Sequence, residues 1–183
     1  MIRNYLVFDE AVFISTNSGL NLLIGNSENA TASSGTEVDI DRYIAHAPKG
    51  TEAVIDRYYR TQALNYMKEN LPHTAVMYIQ KVLHHFSFYN SFATENVTSV
   101  AKQAVMAISY ALILFLIGLR LIRKERLTDI EVLCLCIYVA AALVQGVFFT
   151  RIRFRIPFDM LLIVVSAIGV HFWLLDRKDG IHP

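Results

Sequence analysis

Three apolar runs between residues 102 and 175 set the strongest limit on what this chain can fold into. Ala104 to Leu119 carries no charge over 16 residues, and Val132 to Phe149 none over 18. Ile156 to Leu175 spans 20 residues with a single acid, Asp159. A helix needs about 20 mostly apolar residues to cross a bilayer core. The runs therefore predict transmembrane helices near 102–122, 130–150 and 156–175. A soluble bundle is the competing reading, but soluble helices of this length keep a polar face. Charged residues make up 18% of the chain, against roughly 25% in ordinary globular domains. The net charge of +1 argues against a broad basic face for nucleic acid. Cys134 and Cys136, the two cysteines, lie inside an apolar run. They offer neither a disulfide framework nor a four-cysteine zinc site.

The expected class is a mainly α integral membrane protein in three stretches. These are an external loop with short extended segments over 1–50, amphipathic interfacial helices over 51–100, and a three-helix transmembrane region over 101–183. Basic residues near the helix ends set the orientation. Arg120, Arg123, Lys124, Arg126, Arg177 and Lys178 fall on one side, while Lys102, Arg151, Arg153 and Arg155 fall on the other. That bias places the C-terminus in the cytoplasm and residues 1–100 outside, in a bacterial inner (plasma) membrane. The first residues, Met1 to Glu10, do not form a signal peptide, because Asp9 and Glu10 interrupt the apolar stretch.

Within 1–50, Val12–Ile14 and Leu20–Ile24 read as short extended pieces, separated by a turn at Ser15–Gly19 and followed by another at Gly25–Ala30. Thr51 to Asn70 reads as a helix with Thr51 at its N-cap and Ile55, Tyr59 and Tyr66 marking its inner side. Pro72 separates it from a second helix, Thr74–Phe88, whose apolar side carries Val76, Met77, Ile79, Val82, Leu83 and Phe86. Aromatic residues with Lys81, His84 and His85 suit a helix lying on a membrane surface or packed on protein.

Few residues offer chemistry. His84 and His85 are adjacent on a helix and point about 100° apart, so with His73 they do not build a metal site. The chain has no GxSxG, P-loop or GxGxxG pattern. Asp159, one turn inside a span, reads either as a functional acid or as an ion pair with Arg155 at i and i+4. The sharpest local signal is Arg151-Ile-Arg153-Phe-Arg155-Ile-Pro157. Alternation would put Arg151, Arg153 and Arg155 on one face of an extended strand. Arginine forks there suit a lipid phosphate or pyrophosphate, or the headgroups of ordinary anionic lipids.

Together these segments resemble a known group. Arg3-Asn4-Tyr5 and the run Ser15 to Asn26 look like the external loop of polytopic GT-C type glycosyltransferases. Those are the relatives of the dolichyl-phosphate-mannose–protein mannosyltransferases and the lipid A aminoarabinose transferase. Arg57-Tyr-Tyr-Arg60, Ala63, Glu69-Asn-Leu-Pro72 and Lys81 look like the amphipathic helix that follows. Arg153-Phe-Arg-Ile-Pro157 looks like the turn before a late transmembrane helix. The resemblance covers the C-terminal third of such an enzyme, so the chain is expected to start within an external loop.

What the resemblance implies is sugar transfer from a polyprenyl-phosphate donor. Arg153 and Arg155, beside Arg151, would hold the carrier phosphate, and Asn17, Gly19, Asn21, Gly25 and Asn26 would shape the loop near the sugar. No residue matches the family's catalytic aspartate. The chain alone is expected to be inactive and to carry no cofactor, a divalent metal belonging to the complete enzyme. Its partners would be membrane lipid, the donor and the missing N-terminal part in trans, with no nucleic acid. The alternative is a small non-enzymatic membrane protein that binds anionic lipid or supports a membrane complex.

Overall fold

The structure, a computed structural model, describes residues 17–33, 35, 38–88, 100–123 and 126–179. The extended segment expected at Val12–Ile14 and the Arg3-Asn4-Tyr5 triplet lie outside the described residues. Seven helices are described: α1 (Ser18–Gly25), α2 (Asp41–Ala45), α3 (Glu52–Glu69), α4 (Leu71–His85), α5 (Val100–Ile122), α6 (Asp129–Val147) and α7 (Ile152–Asp179). No strand occurs among the described residues. The chain groups into two compact units. One comprises Met1–His85 with Val144–Thr150, the other Phe86–Leu143 with Arg151–Pro183.

In the first unit α1 packs on α3. Leu20–Ile24, expected as an extended piece, is helical, and Leu22, Leu23 and Ile24 are buried. A lone extended segment leaves its backbone groups unpaired. Coiling pairs them internally and turns three apolar side chains inward. Gly19 and Gly25 permit the close contacts. A Cβ at Gly19 would run into the Asp56 carbonyl, and one at Gly25 into the Phe148 carbonyl. Those neighbours are backbone and cannot swing aside. Gly25→Ala is therefore expected to lower stability by about 1–3 kcal/mol, the usual range for overpacking. Thermal unfolding in detergent reads the loss, with Gly118→Ala as a neutral control because no atom lies within reach of its Cβ.

Helix α3 buries Ala53, Asp56, Tyr59 and Ala63. Of the side expected to face inward, Tyr59 is buried, while Ile55 and Tyr66 are half-buried. Small side chains at Ala53 and Ala63 let the helix approach its neighbours closely. Thr51 holds the N-cap position in extended conformation but makes no side-chain capping bond.

Helix α4 places a lysine and a histidine on its buried side. Met77, Lys81 and His85, spaced four apart, face inward, while Val76, Ile79 and Leu83 are exposed. Lys81 is 0% exposed and Leu83 66%. In water that orientation would be unfavourable. It holds here because the lysine is fully hydrogen-bonded, as described below.

In the second unit, Val100–Ile122, Asp129–Val147 and Arg153–Leu175 are long and apolar enough to cross a membrane, as the sequence predicts. This marks an integral membrane protein. Tyr110, Ile117, Cys134, Tyr138, Leu162 and Val165 form the core, flanked by Phe86, Ile113, Leu114 and Phe158. Outward faces remain apolar, with Ile108, Leu112, Phe115, Leu133, Met160 and Ile163 exposed. Helices α5 and α7 run parallel: Tyr110 meets Arg155, Ile113 meets Ser166, and Arg120 meets Gly169.

A capping box starts α6. The Thr128 hydroxyl accepts the Glu131 N–H at 3.3 Å, and the Glu131 carboxylate accepts the Thr128 N–H at 2.7 Å. The same carboxylate binds Arg120 through two bonds of 2.7 and 3.0 Å, with both side chains buried.

Candidate functional site

The polar residues of the first unit gather at both ends of α1. At its N-terminus, Asp56 accepts the Gly19 N–H at 2.5 Å and the Ser18 hydroxyl at 3.2 Å. Arg60 reaches the same carboxylate at 3.0 Å and the Ser18 hydroxyl at 2.7 Å. A carboxylate satisfies the unpaired amides and opposes the positive end of the helix dipole. Asp56 thus does from α3 what no residue of α1 itself does, since Asn17 makes no side-chain cap.

At the C-terminus of α1, Lys81 donates to the Gly25 carbonyl at 3.1 Å, the Asn26 side-chain oxygen at 3.0 Å and the Phe148 carbonyl at 2.9 Å. An ammonium has three N–H donors, and all three are used. The Asn26 amide donates to the Leu22 and Val147 carbonyls, both at 2.9 Å. One turn along α4, His85 lies 3.2 Å from the Gln145 side-chain oxygen. Burial pushes the Lys81 ammonium down to about 8. The hydroxyls of Ser27 and Thr150 are buried without a hydrogen-bond partner among the described residues.

The segments quoted for the resemblance therefore meet in pairs: Ser18 and Gly19 with Arg60, and Gly25 and Asn26 with Lys81. Of the expected loop residues, Gly19, Asn21 and Gly25 lie in α1, while Asn17 and Asn26 bracket it. Gly19, Gly25 and Asn26 are buried and Asn21 is half-buried. Asp56 is a residue that sequence reasoning misses. Its signal was a carboxylate four residues before Arg60, facing a Ser-Gly helix start.

In the second unit the arginine triplet is not an extended strand. Arg153 and Arg155 lie in the first turn of α7, and Pro157 sits inside that helix. An unpartnered strand at membrane level leaves polar backbone unsatisfied, which a helix avoids. Residues two apart on a helix diverge by about 200°, so the arginines do not share a face. Arg153 is exposed and lies over the Phe154 ring at 4.9 Å, and Arg151 is half-buried. Arg155 is buried, 3.1 Å from Asp159 and 2.6 Å from the Ser87 carbonyl, with its guanidinium 3.6 Å above the Tyr110 ring. Tyr138 donates to Asp159 at 3.3 Å, and Tyr110 lies 3.0 Å from the Tyr138 hydroxyl. Asp159 is thus an ion-pair partner inside a polar chain.

Among the described residues no three histidine, cysteine or acidic side chains converge as a metal site would require. Asp56, Glu131 and Asp159 are each engaged by an arginine. The residues present do not fit a divalent metal, and no step is derived through one. Comparison with known proteins finds no matching family model, no matching curated protein and no matching solved structure.

Proposed function

We propose that this chain is the C-terminal, donor-side part of a membrane glycosyltransferase of the GT-C type, which moves a sugar from a polyprenyl-phosphate carrier. The observation that carries the reading is the convergence on α1. Three separated segments of the resemblance, Ser18–Asn26, Arg57–Arg60 and Lys81, are bonded to one another in one unit. A segment clamped this firmly serves to present a surface of fixed shape. The two buried hydroxyls of Ser27 and Thr150 lie one and two residues from Asn26 and Phe148, and supply spare hydrogen-bonding capacity.

In this reading Asn17 and Asn21 face the sugar side, while buried Asn26 holds the end of α1 through its bonds to Leu22, Val147 and Lys81, and Gly19 and Gly25 allow the close packing that fixes the segment. Arg151 and Arg153 supply phosphate contacts. Arg155, already committed to Asp159 and Ser87, is a positioning residue. Exposed Val76, Ile79 and Leu83 on α4 suit a helix resting on lipid. Residues 1–100 face outward and the C-terminus is cytoplasmic, in a bacterial inner membrane. The catalytic base comes from the N-terminal part of the enzyme.

The test is binding of a short-chain polyprenyl phosphate to the purified chain in nanodiscs. Saturable binding is expected, with Arg153→Ala weakening it by about ten- to a hundredfold, as losing one charged hydrogen bond of roughly 1.5–3 kcal/mol predicts. Binding that does not saturate, or that ignores Arg153→Ala, would sink the proposal. Sugar transfer by the chain together with the N-terminal part is the activity expected next.

A further inference from the structure

A groove of about 210 Å³ opens between the C-terminal ends of α5 and α7, lined by Leu116, Leu119, Arg120, Arg123, Gly169, Val170 and Trp173. It shares no residue with the site on α1 or with the Arg151–Arg155 segment. We infer that it binds one phospholipid with an anionic headgroup, an acyl chain lying along the groove and the phosphate against Arg123.

Three observations choose this occupant. The first is position. Trp173 lies two residues before the end of the span Arg153–Leu175, and Leu119 three before the end of Val100–Ile122. Both therefore sit at the level where acyl chain gives way to headgroup, the level tryptophan favours. The second is the lining. Apart from its two arginines it is apolar, and Leu119, Val170 and Trp173 remain exposed. The third is charge complementarity. Arg123 ends the groove and exposed Arg126 follows, and among the described residues that line it none is acidic.

Arg120 plays a different part. Its guanidinium is bound to Glu131 and lies 5.3 Å from the Phe172 ring, and its stem packs over Gly169. It forms the wall, and Arg123 is the arginine at the end of the groove. A guanidinium presents a planar fork that matches phosphate oxygens. A zwitterionic lipid would bring its own cation to a basic rim, so the anionic class is preferred.

Trp173 is the chain's single tryptophan, so its fluorescence reports on this groove alone. The chain is reconstituted in mixed vesicles carrying either brominated phosphatidylglycerol or brominated phosphatidylcholine at matched mole fractions. Bromine on the acyl chain quenches tryptophan on contact. Half-quenching is expected at about a fivefold lower mole fraction of the brominated phosphatidylglycerol, the ratio equivalent to roughly 1 kcal/mol for one arginine near anionic lipid. Arg123→Gln should merge the two curves and Arg123→Lys should partly restore the difference. Lys68→Gln, at an exposed cation away from both sites, should leave it intact. Coincident curves in the unaltered chain would overturn the inference, as would a preference that survives Arg123→Gln. Loss of the preference in Lys68→Gln would also overturn it, because diffuse surface charge would then be the cause. Failure of polyprenyl phosphate binding, read through Arg153, leaves this result untouched.

Discussion

Glu131→Ala is expected to be the most damaging single substitution in the second unit. It deprives Arg120, which is 2% exposed, of the carboxylate that holds its guanidinium through two bonds. Removing one member of a buried pair costs about 3–5 kcal/mol, because the remaining charge stays desolvated. The substitution also removes the acceptor of the Thr128 N–H and hydroxyl, a capping loss of about 1 kcal/mol. Thermal unfolding in a mild detergent measures the effect. The double variant Arg120→Leu, Glu131→Leu should recover most of the lost stability, since an apolar pair of similar volume leaves no charge behind. If the double variant is no better than Glu131→Ala, the bridge is not what holds α5 to α6.

Lys81→Met is the matching prediction for the first unit. Methionine follows the lysine stem closely in volume but donates nothing. The carbonyls of Gly25 and Phe148 and the side-chain oxygen of Asn26 would each lose a donor at a buried position. Each unsatisfied group costs about 1–3 kcal/mol, so a loss of several kcal/mol is expected. The pH dependence carries a separate signature. Burial lowers the Lys81 ammonium from 10.5 to about 8. Between those values the unfolded chain holds a proton that the folded chain has released, so folding gains stability as pH rises. This contribution is complete above 10.5 and disappears as pH falls through about 8. The stability difference between the unaltered chain and Lys81→Met should therefore widen from pH 8 to 10.5. A flat difference across that window means that the lysine titrates alike in both states.

Much of the second unit was legible in the sequence because lipid asks only for length and absence of charge. The predicted spans near 102–122, 130–150 and 156–175 match helices α5 to α7 closely at most ends.

The first unit was harder to read for physical reasons. Asn17, Gly19, Asn21 and Gly25 are poor helix formers, and locally they describe turns. What makes α1 a helix lies far along the chain: Asp56 on its first amide, and Lys81 and the Asn26 side chain at its last turn. Tertiary contacts of that kind have no local pattern. The sequence left α4 either on a membrane surface or packed on protein, because its apolar residues suit both, and the acceptors that bury Lys81 lie far along the chain. The arginine triplet misled differently. Alternation of arginine with isoleucine and phenylalanine has the period of a strand, and only the absence of a partner strand tips it into a helix.

The long reach of Lys81 also sets the order of events during synthesis. Its last acceptor, the Phe148 carbonyl, lies 67 residues further on. A ribosome adding about 5–20 residues per second needs several seconds to cover that distance. During that interval α1, α3 and α4 have already emerged, but the carbonyls of Val147 and Phe148 do not yet exist. The nascent first unit must keep Lys81 hydrated while the segments of α5 and α6 are delivered to the bilayer. The short stretch Val144–Thr150 then closes it, so completion of the first unit waits on synthesis of α6.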